Sequence, residues 1–288
     1  MPGELIVLVL GASGMLGNTV LRFFAESPGF STLGTVRSSG AMHLLPKSLH
    51  DRVICDVDVN NADALLQLFA QVRPTVVINC IGVVKQLAAS MDPLTAIPIN
   101  SLLPHKLVRM CKRSGARLIH VSTDCVFDGA KGMYKENSIA DANDLYGRSK
   151  LLGEVDDPLA VTLRTSIIGP ELDSAHGLVS WFLSQQQQVK GFTHAVFSGL
   201  PTVELARVMR DFVIPQHQMS GLYHVSSAPI NKHELLCLIA RVYGKSVDII
   251  PDDALVIDRS LDSTRFQLLT GYHAPNWPEL VRVMHEFG

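Results

Sequence analysis

The sequence predicts an α/β protein in which helices cover both faces of a central parallel sheet. Short apolar segments alternate with amphipathic segments up to about residue 164. Runs such as Val76-Val77-Ile78 lack the polar alternation of a half-exposed strand, as is typical of strands buried on both sides. A glycine-rich segment follows the first apolar run, where a helix should begin. These patterns are typical of β-α-β units in a doubly wound sheet.

The predicted elements follow one another regularly through the first part of the chain. Short apolar runs predict strands at residues 5–10, 32–36, 52–55, 75–80, 117–121 and 160–164. Apolar residues at helical spacing predict the helices between them, at residues 14–26, 62–72, 101–113 and 143–154. Each strand is therefore followed by a segment that can cross over the sheet.

The alternation loosens after Gly169-Pro170, where we predict a boundary. The glutamine run at 185–188 is predicted to be the polar end of an amphipathic helix, because apolar residues flank it. Further helices are predicted at 202–213 and 231–243, and strands at 221–225 and 247–250. We expect one domain over 1–168 and a smaller α/β region over 169–288, part of which could return to the first sheet.

Composition and charge exclude several classes of protein. With 288 residues, of which 47% are hydrophobic and 18% charged, the chain can bury a large core. Its formal net charge of -2 provides no basic field for nucleic acid or an anionic membrane. The apolar run at 5–10 is too short for a membrane span or a signal-peptide core. We therefore expect neither a nucleic-acid partner nor a membrane one.

The cysteines and histidines indicate neither a disulfide framework nor a metal site. The five cysteines are odd in number and form no CxxC pair, and no HExxH pattern occurs among the eleven histidines. The expected setting is therefore a reducing cytoplasm.

Three glycines are spaced as in a dinucleotide-binding loop. Gly11, Gly14 and Gly17 follow the first strand and open the first helix, where glycine permits a tight turn and close approach to a pyrophosphate. The predicted contacts also include the intervening residues Ser13, Met15 and Leu16. The alternative is a loop that is merely glycine-rich. The flanking strand and amphipathic helix favour a dinucleotide site in a Rossmann-like domain.

Arg37 stands where NAD-preferring sites usually carry an acidic residue. Together with Ser38 and Ser39 it could bind a 2′-phosphate, so we expect NADPH to bind better than NADH, which can also serve. The alternative is a solvated surface arginine.

Two further segments are predicted to contact the cofactor. Asp56, beside Val57, follows the third strand and could accept the adenine amino hydrogen, or it could be only a loop residue. Cys80, Ile81 and Gly82 follow the fourth strand and would lie beside the nicotinamide ribose.

Tyr146 and Lys150 lie four residues apart in a predicted helix and therefore share one face. A tyrosine has an ordinary pKa of about 10, so acid–base chemistry near neutrality needs a shift of roughly 3 units, part of which a nearby ammonium can supply. The pair suggests a nicotinamide-dependent enzyme acting on a carbonyl or alcohol. A chance surface pair is the alternative.

With these motifs in place, the chain resembles the extended short-chain dehydrogenase/reductase superfamily and, within it, the dTDP-4-dehydrorhamnose reductase family. The resemblance rests on HVSTDCVFDG at 120–129, YGRSK at 146–150 and Gly153-Glu154. It extends through GLYHV at 221–225 and RSLD at 259–262 to Trp277, and is looser between residues 169 and 200.

The resemblance implies a catalytic trio. Thr123 would hydrogen-bond the substrate carbonyl, Tyr146 would donate the proton, and Lys150 would hold the nicotinamide ribose and lower the pKa of the tyrosine. The alternative for Thr123 is a hydroxyl that caps the end of its strand. Two hydroxyl donors at the carbonyl oxygen would stabilise the charge that develops there during hydride attack. For Asn100 the resemblance implies a helix distortion that supports the site, and a plain helix cap is the alternative.

The implied activity is NADPH-dependent reduction of the 4-keto group of a nucleotide-linked 4-keto-6-deoxy sugar, for deoxyhexose and surface polysaccharide synthesis. The alternatives are a nucleotide-sugar 4-epimerase and a non-catalytic NADP-binding regulatory subunit. Related 4,6-dehydratases carry an Asp-Glu pair where this chain has Asp124-Cys125, which argues against dehydration because a thiol is a poor substitute for a carboxylate. A homodimer is compatible with these observations.

The substrate side departs from the family pattern, since Cys125 replaces an aromatic residue that familiar members carry. The nucleotide and the sugar could therefore differ. The candidate substrate contacts are Thr123, Asp124, Cys125, Arg164, His176, Trp181 and Arg259. For Arg164, His176, Trp181 and Arg259, packing or a surface position is an equal alternative.

Overall fold

The computed structural model describes residues 4–85 and 87–288. Its centre is a parallel sheet that has seven strands within the described residues, in the order β10-β6-β5-β4-β1-β2-β3. These strands are β1 Leu5–Leu10, β2 Phe30–Thr35, β3 Val53–Ile54, β4 Val76–Asn79, β5 Arg117–Thr123, β6 Ala160–Thr165 and β10 Gly221–His224. The predicted α/β fold class is confirmed, with a Rossmann-like strand order.

Helices lie on both faces of this sheet. Their bounds are α1 Met15–Ala25, α2 Ala62–Val72, α3 Pro93–Ala96, α4 Leu103–Ser114, α5 Leu145–Leu152, α6 Leu178–Ser184, α7 Thr202–Val208, α8 Lys232–Tyr243, α9 Thr264–Thr270 and α10 Trp277–Phe287. Short 3-10 turns at Ser39–Leu44, Lys47–Arg52, Ala88–Met91 and Asp124–Val126 lie in the connections.

The unbroken apolar strands divide their side chains between two cores. In β1, Val7 and Val9 pack with α1, α7 and α10, whereas Leu8 and Leu10 pack with α2 and α4. Successive side chains of a strand point to opposite faces, so a strand between two helical layers must be apolar at every position. The sheet is therefore doubly wound.

The direction of winding reverses at β1, which pairs with β2 on one side and β4 on the other. Open parallel sheets bind ligands in the crevice beyond the carboxyl ends of the strands at such a switch point. The glycine loop, directly after β1, begins at this crevice.

A smaller sheet lies in the second half of the chain. Its strands are β8 Val189–Phe197, β11 Ile230–Asn231 and β12 Ile249–Asp258, with β8 in the middle. Two short strands, β7 Ile167–Ile168 and β9 Leu200–Pro201, pair separately. Because β10 comes from the second half and joins the main sheet beside β6, part of that half does return to the first sheet. The boundary at residue 168 stays a prediction.

Local structure differs from prediction at several points. The glutamine run is not the end of a helix, because α6 ends at Ser184 and Gln185 is already extended. The long strand β8 was not predicted, and β12 continues to Asp258 rather than ending near residue 250. The predicted helix starting at residue 101 is preceded by a π-helical turn, Ile97–Leu102, and α7 continues into another at Met209–Val213.

Within the residues described, no helix is both long and apolar enough to cross a bilayer.

Candidate active site

The glycine loop has the geometry of a close backbone approach. Gly11 has a φ of +83°, which favours glycine, and a Cβ on Gly17 would lie 2.0 Å from the Gly11 carbonyl oxygen. Gly14 is the exposed N-cap residue of α1 and provides no side-chain cap, so first-turn N–H groups of the helix remain available to a ligand. Ser13 and Met15 are partly accessible, whereas the Leu16 side chain is buried in the core and leaves only its backbone for a ligand. The loop therefore provides a cradle suited to a pyrophosphate.

Arg37 and Ser38 are exposed just beyond the end of β2. The Asp56 carboxylate accepts a hydrogen bond from the Ser39 backbone N–H at 3.0 Å, and the Val57 N–H donates to the Val36 carbonyl at 3.2 Å. Asp56 therefore braces the Arg37 segment, while the Val57 side chain is buried in the core. Arg37 is left with its guanidinium open to solvent and to an anionic ligand.

The loop after β4 faces the other end of the crevice. The Ile81 side chain lies 2.8 Å from where a Cβ on Gly11 would be, and a Cβ on Gly82 would lie 3.9 Å from the Lys150 ammonium nitrogen. Burial raises the pKa of the Cys80 thiol to about 12, so the thiol is neutral at physiological pH. Gly82 thus leaves room beside Lys150.

Asn100 joins this loop to α5. Its carboxamide accepts from the Val83 N–H at 2.9 Å, donates to the Val83 carbonyl at 3.1 Å, and donates to the Ser149 hydroxyl at 3.1 Å. Asn100 lies inside the π-helical turn, and Leu102 rather than Asn100 occupies the cap position of α4. The geometry favours a supporting residue in a distorted helix over a plain cap.

Helix α5 brings Tyr146 and Lys150 to the end of β5. The Asp144 carboxylate caps the helix by accepting from the Gly147 N–H at 2.7 Å, so the helix starts slightly later than predicted. A Cβ on Gly147 would lie 2.3 Å from the Cys125 carbonyl oxygen, which shows how closely α5 packs on the segment after Thr123. The last residue of β5, Thr123, is buried, and its hydroxyl donates to the Asp124 carboxylate at 3.2 Å.

Burial dominates the electrostatics of Tyr146. It raises the pKa of Tyr146 above its ordinary value and the Cys125 thiol adds to the rise, while a hydrogen bond with Thr123 opposes it. The lowering of this pKa by Lys150 stays a prediction. A tyrosine with a raised pKa is protonated at neutral pH and so is able to donate a proton.

Lys150 is buried, and its ammonium donates to the Val121 carbonyl at 2.7 Å. Burial lowers the pKa of Lys150 to about 8, and the Glu154 carboxylate partly offsets this. The lysine is therefore mostly charged at neutral pH but close to its midpoint.

The Arg259 guanidinium lies close to the two residues that follow Thr123, Asp124 and Cys125. The Arg259 guanidinium donates to the Phe127 carbonyl at 2.7 Å and lies 3.9 Å from the Cys125 sulfur. Burial raises the pKa of Asp124, which Arg259 opposes, and burial raises the pKa of the Cys125 thiol to about 12. The structure thus brings Asp124, Cys125 and Arg259 together.

Sequence reasoning missed Lys232, which begins α8. Burial lowers the pKa of Lys232, and the Asp124 carboxylate opposes that fall. No local motif marked it, because its proximity to Asp124 depends on how α8 packs against the rest of the chain.

The remaining substrate candidates lie elsewhere. Arg164 is buried in an ion pair with Glu154 at 2.6 Å. Its guanidinium is therefore already paired within the protein and needs no ligand to balance its charge. His176 is exposed in the loop before α6, and Trp181 lies one-third exposed on that helix. Gly177 contacts Met15, so α6 begins beside the glycine loop.

A separate groove of about 910 Å³ runs beside the edge strand β10 and is lined by residues that include Tyr223, Arg265 and Leu268. None of the predicted site residues lines it.

Comparison with known proteins places these features in a family. Residues 5–284 match the family described as the RmlD substrate binding domain. The chain is 29% identical over 268 residues to the probable low-salt glycan biosynthesis reductase Agl14 of Haloferax volcanii, covering 88% of this chain and 83% of that protein. It is 24% identical over 233 residues to a dTDP-4-dehydrorhamnose reductase of Aggregatibacter actinomycetemcomitans, covering 77% and 74% of the two chains.

Two further likenesses bear on function and fold. The chain is 27% identical over 260 residues to methionine adenosyltransferase 2 subunit beta of Danio rerio, covering 85% of this chain and 76% of that protein. Its fold matches that of a Bacillus anthracis dTDP-4-dehydrorhamnose reductase solved in complex with NADP, with a TM-score of 0.80, 19% identity and coverage of 100% and 99% of the two chains.

Proposed function

We propose that this chain, which belongs to the RmlD substrate binding domain family, is an NADPH-dependent reductase of a nucleotide-linked 4-keto-6-deoxy sugar. The observation that carries the proposal is the convergence of Thr123, Tyr146 and Lys150 at the carboxyl end of β5, next to the switch-point crevice that holds the glycine loop. The named reductases among its relatives support the same activity. The chain is accordingly an NAD(P)-dependent oxidoreductase.

The crevice fits a nicotinamide dinucleotide. Gly17 lets α1 pack tightly on the Gly11 backbone, and the exposed Gly14 leaves the start of that helix without a side-chain cap. The backbone at Ser13, Gly14 and Met15 would hold the pyrophosphate, and Arg37 with Ser38 would hold a 2′-phosphate. NADPH is the favoured cofactor and NADH remains usable. When bound, the cofactor supplies the hydride that reduces the carbonyl carbon.

Side chains of the protein supply the proton and stabilise the charge that develops during the reaction. The Tyr146 and Thr123 hydroxyls donate hydrogen bonds to the substrate carbonyl oxygen, and Tyr146 transfers its proton there as negative charge develops, which yields an alcohol. The Lys150 ammonium stabilises the tyrosinate left behind, because a positive charge nearby favours the ionised phenol. Solvent then returns a proton to Tyr146.

The thiol at position 125 favours reduction over dehydration. Its pKa of about 12 leaves it neutral, so it cannot act as the second acid–base group that water elimination requires. A 4-epimerase remains distinguishable, because it regenerates its cofactor and consumes no NADPH overall.

A regulatory subunit is the second candidate, supported by the likeness to methionine adenosyltransferase 2 subunit beta. Intact Thr123, Tyr146 and Lys150 favour catalysis over this role. We place the protein in the cytoplasm, which its five free cysteines support. We propose that its reaction supplies a deoxyhexose for the synthesis of surface polysaccharide.

The test is NADPH consumption with dTDP-, UDP- and GDP-linked 4-keto-6-deoxy sugars, with cofactor binding measured in parallel. We expect consumption with one of these sugars and a loss of about 10² or more in turnover for Tyr146→Phe with NADPH binding retained. The matched control is Tyr243→Phe, since the Tyr243 hydroxyl has no hydrogen-bond partner among the described residues. Tight NADPH binding without consumption would favour the regulatory role, and undiminished turnover of Tyr146→Phe would remove Tyr146 from the mechanism.

A further inference from the structure

A π-helical turn packs against helix α5. The turn spans Ile97–Leu102 and leads directly into α4. A Cβ on Gly153, just past the end of α5, would lie 1.9 Å from the Asn100 carbonyl oxygen, so the two backbones are in close contact. π-helical turns occur often at functional sites, and this one lies against the helix that carries Tyr146 and Lys150.

Ser149 receives two hydrogen bonds from this turn. Its hydroxyl accepts from the Asn100 carboxamide at 3.1 Å, and its carbonyl accepts from the Ser101 hydroxyl at 2.8 Å. In a continuing α-helix the Gly153 N–H would bond that carbonyl, but here the N–H bonds the Lys150 carbonyl instead. Asn100, Ser101 and Ser149 are all buried. The bonds from the turn to α5 therefore converge on Ser149 and are shielded from water.

The Ser149 hydroxyl connects this contact to Tyr146. It donates to the Tyr146 carbonyl at 2.9 Å, so one hydroxyl accepts from the π-helical turn and donates to the residue that carries the phenol. A helical serine often bonds a carbonyl of the preceding turn by itself, as Ser114 does on α4. At Ser149 the additional bond from Asn100 extends this local bond into a chain that joins two elements.

The same chain reaches the loop after β4. The Asn100 carboxamide also bonds the N–H and the carbonyl of Val83, at 2.9 and 3.1 Å. Val83 follows Gly82, the glycine beside the Lys150 ammonium. Hydrogen bonds that form a chain away from water strengthen one another. A continuous chain of hydrogen bonds thus connects this loop, the π-helical turn and Tyr146.

We propose that Ser149 is a positioning residue for Tyr146: held by Asn100 and Ser101, it sets the position of α5, and with it the Tyr146 phenol, relative to the cofactor crevice. The assignment rests on the proposed reductase function, in which Tyr146 donates the proton. Ser149 is buried and acts only through the backbone of Tyr146. Its position matters because a misplacement of about 1 Å can cost about 10²-fold in rate.

The first test is ¹³C NMR of protein labelled at the tyrosine ring carbon that bears the hydroxyl, with the Tyr146 signal assigned from Tyr146→Phe. In Ser149→Ala we expect that signal to shift or broaden while the other tyrosine signals stay unchanged, because the Tyr146 carbonyl loses its bond from the serine. An unchanged Tyr146 signal in folded Ser149→Ala would overturn the proposal. Changes spread over all the tyrosines would also contradict it, because they would show a general loosening of the fold.

Ser27→Ala is the matched control. The buried Ser27 hydroxyl donates to the Phe23 carbonyl at 2.7 Å and accepts from the Arg210 guanidinium at 3.0 Å. It therefore makes the same two kinds of bond, but at the end of α1 away from the glycine loop. Its loss should leave the Tyr146 signal and turnover unchanged. An equal change of the Tyr146 signal in this control would attribute the effect to lost stability and refute the positioning role.

Ser101→Ala keeps the test available if Ser149→Ala does not fold. It removes the donor to the Ser149 carbonyl and leaves the Ser149 hydroxyl in place. We expect the Tyr146 signal to move in this variant as well, because the π-helical turn loses one of its two bonds to Ser149. A Tyr146 signal at its wild-type position would count against the proposal.

Turnover with NADPH and the sugar that the protein reduces measures the consequence for catalysis. Ser149→Ala should lower kcat about tenfold or more. The KM for the sugar and the affinity for NADPH should stay within about twofold, as when an interaction made only in the transition state is lost. A loss confined to KM would contradict a positioning role for Tyr146.

Combining Ser149→Ala with Asn100→Ala tests the chain itself. The loss of kcat in the double variant should be smaller than the product of the two single losses, because both substitutions break the same hydrogen bond. A loss equal to that product would show that the two residues act independently, contrary to the proposal.

The NMR measurement needs no substrate. An absence of turnover with every sugar would therefore count against the reductase proposal, while the Tyr146 signal would still decide the role of Ser149.

Discussion

Replacing Lys150 with methionine should stabilise the folded protein at neutral pH, even though it should abolish reduction. Burial moves the pKa of this lysine from its ordinary 10.5 to about 8, and such a shift corresponds to about 3 kcal/mol of cost for keeping the charged form folded. Methionine has a similar length and no charge, but it loses the hydrogen bond from the charged ammonium to the Val121 carbonyl, worth about 2 kcal/mol. The expected net gain in the free energy of unfolding is about 1 kcal/mol at pH 7.

The pH dependence has a defined sign. Between pH 8 and 10.5 the folded lysine is neutral while the unfolded lysine is still protonated, so the wild type becomes more stable as the pH rises through this window. The advantage of Lys150→Met should therefore shrink by up to about 3 kcal/mol across it. Denaturant unfolding of both proteins from pH 7 to 10.5 measures the difference between their free energies of unfolding. The contributions of the other titrating groups cancel in this difference because both proteins contain them. A difference that is constant with pH, or a variant less stable at pH 7, would refute the reasoning.

Two further predictions concern the cofactor crevice. Gly17→Ala should weaken NADPH binding at least tenfold and lower the free energy of unfolding by about 1–3 kcal/mol, because the new methyl would lie 2.0 Å from the Gly11 carbonyl oxygen. Calorimetric titration measures the binding, and denaturant unfolding measures the stability. Wild-type values in both assays would contradict this expectation and show that the loop can shift. Arg37→Ala should reduce the preference for NADPH over NADH by about 10–100-fold, the scale of one charge-assisted hydrogen bond. Exposed Arg113→Ala is its charge-matched control, and an unchanged cofactor ratio in Arg37→Ala would contradict the phosphate assignment.

The local sequence pattern was enough to predict the main sheet. The fully apolar strands at the centre predicted burial on both faces, and the structure places their alternate side chains in two cores. Spacing was also enough to put Tyr146 and Lys150 on one helix. Pattern was weaker in the second half, where the helix before the glutamine run ends at Ser184 and β8 was not recognised. The alternating exposed and half-buried residues of β8 reflect packing against α8 and β12, which a local window does not contain.

Burial contributes to the pKa of Tyr146 in a way that spacing could not reveal. The four-residue interval predicted only the nearby ammonium of Lys150, whereas desolvation raises the pKa of Tyr146. Desolvation depends on every neighbour that excludes water, including Cys125 and Thr123 from another element.

The sequence by itself determined the order of β-α-β units, the glycine loop and the helix that carries the tyrosine–lysine pair, because each depends on residues close together in the chain. Only the tertiary structure decided that β10 joins the first sheet, that Arg164 pairs with Glu154, and that Arg259 reaches Cys125 across 134 positions of the chain. Contacts of that kind arise when separate elements pack, and the cost of burying a charge is then set by the groups that packing brings together.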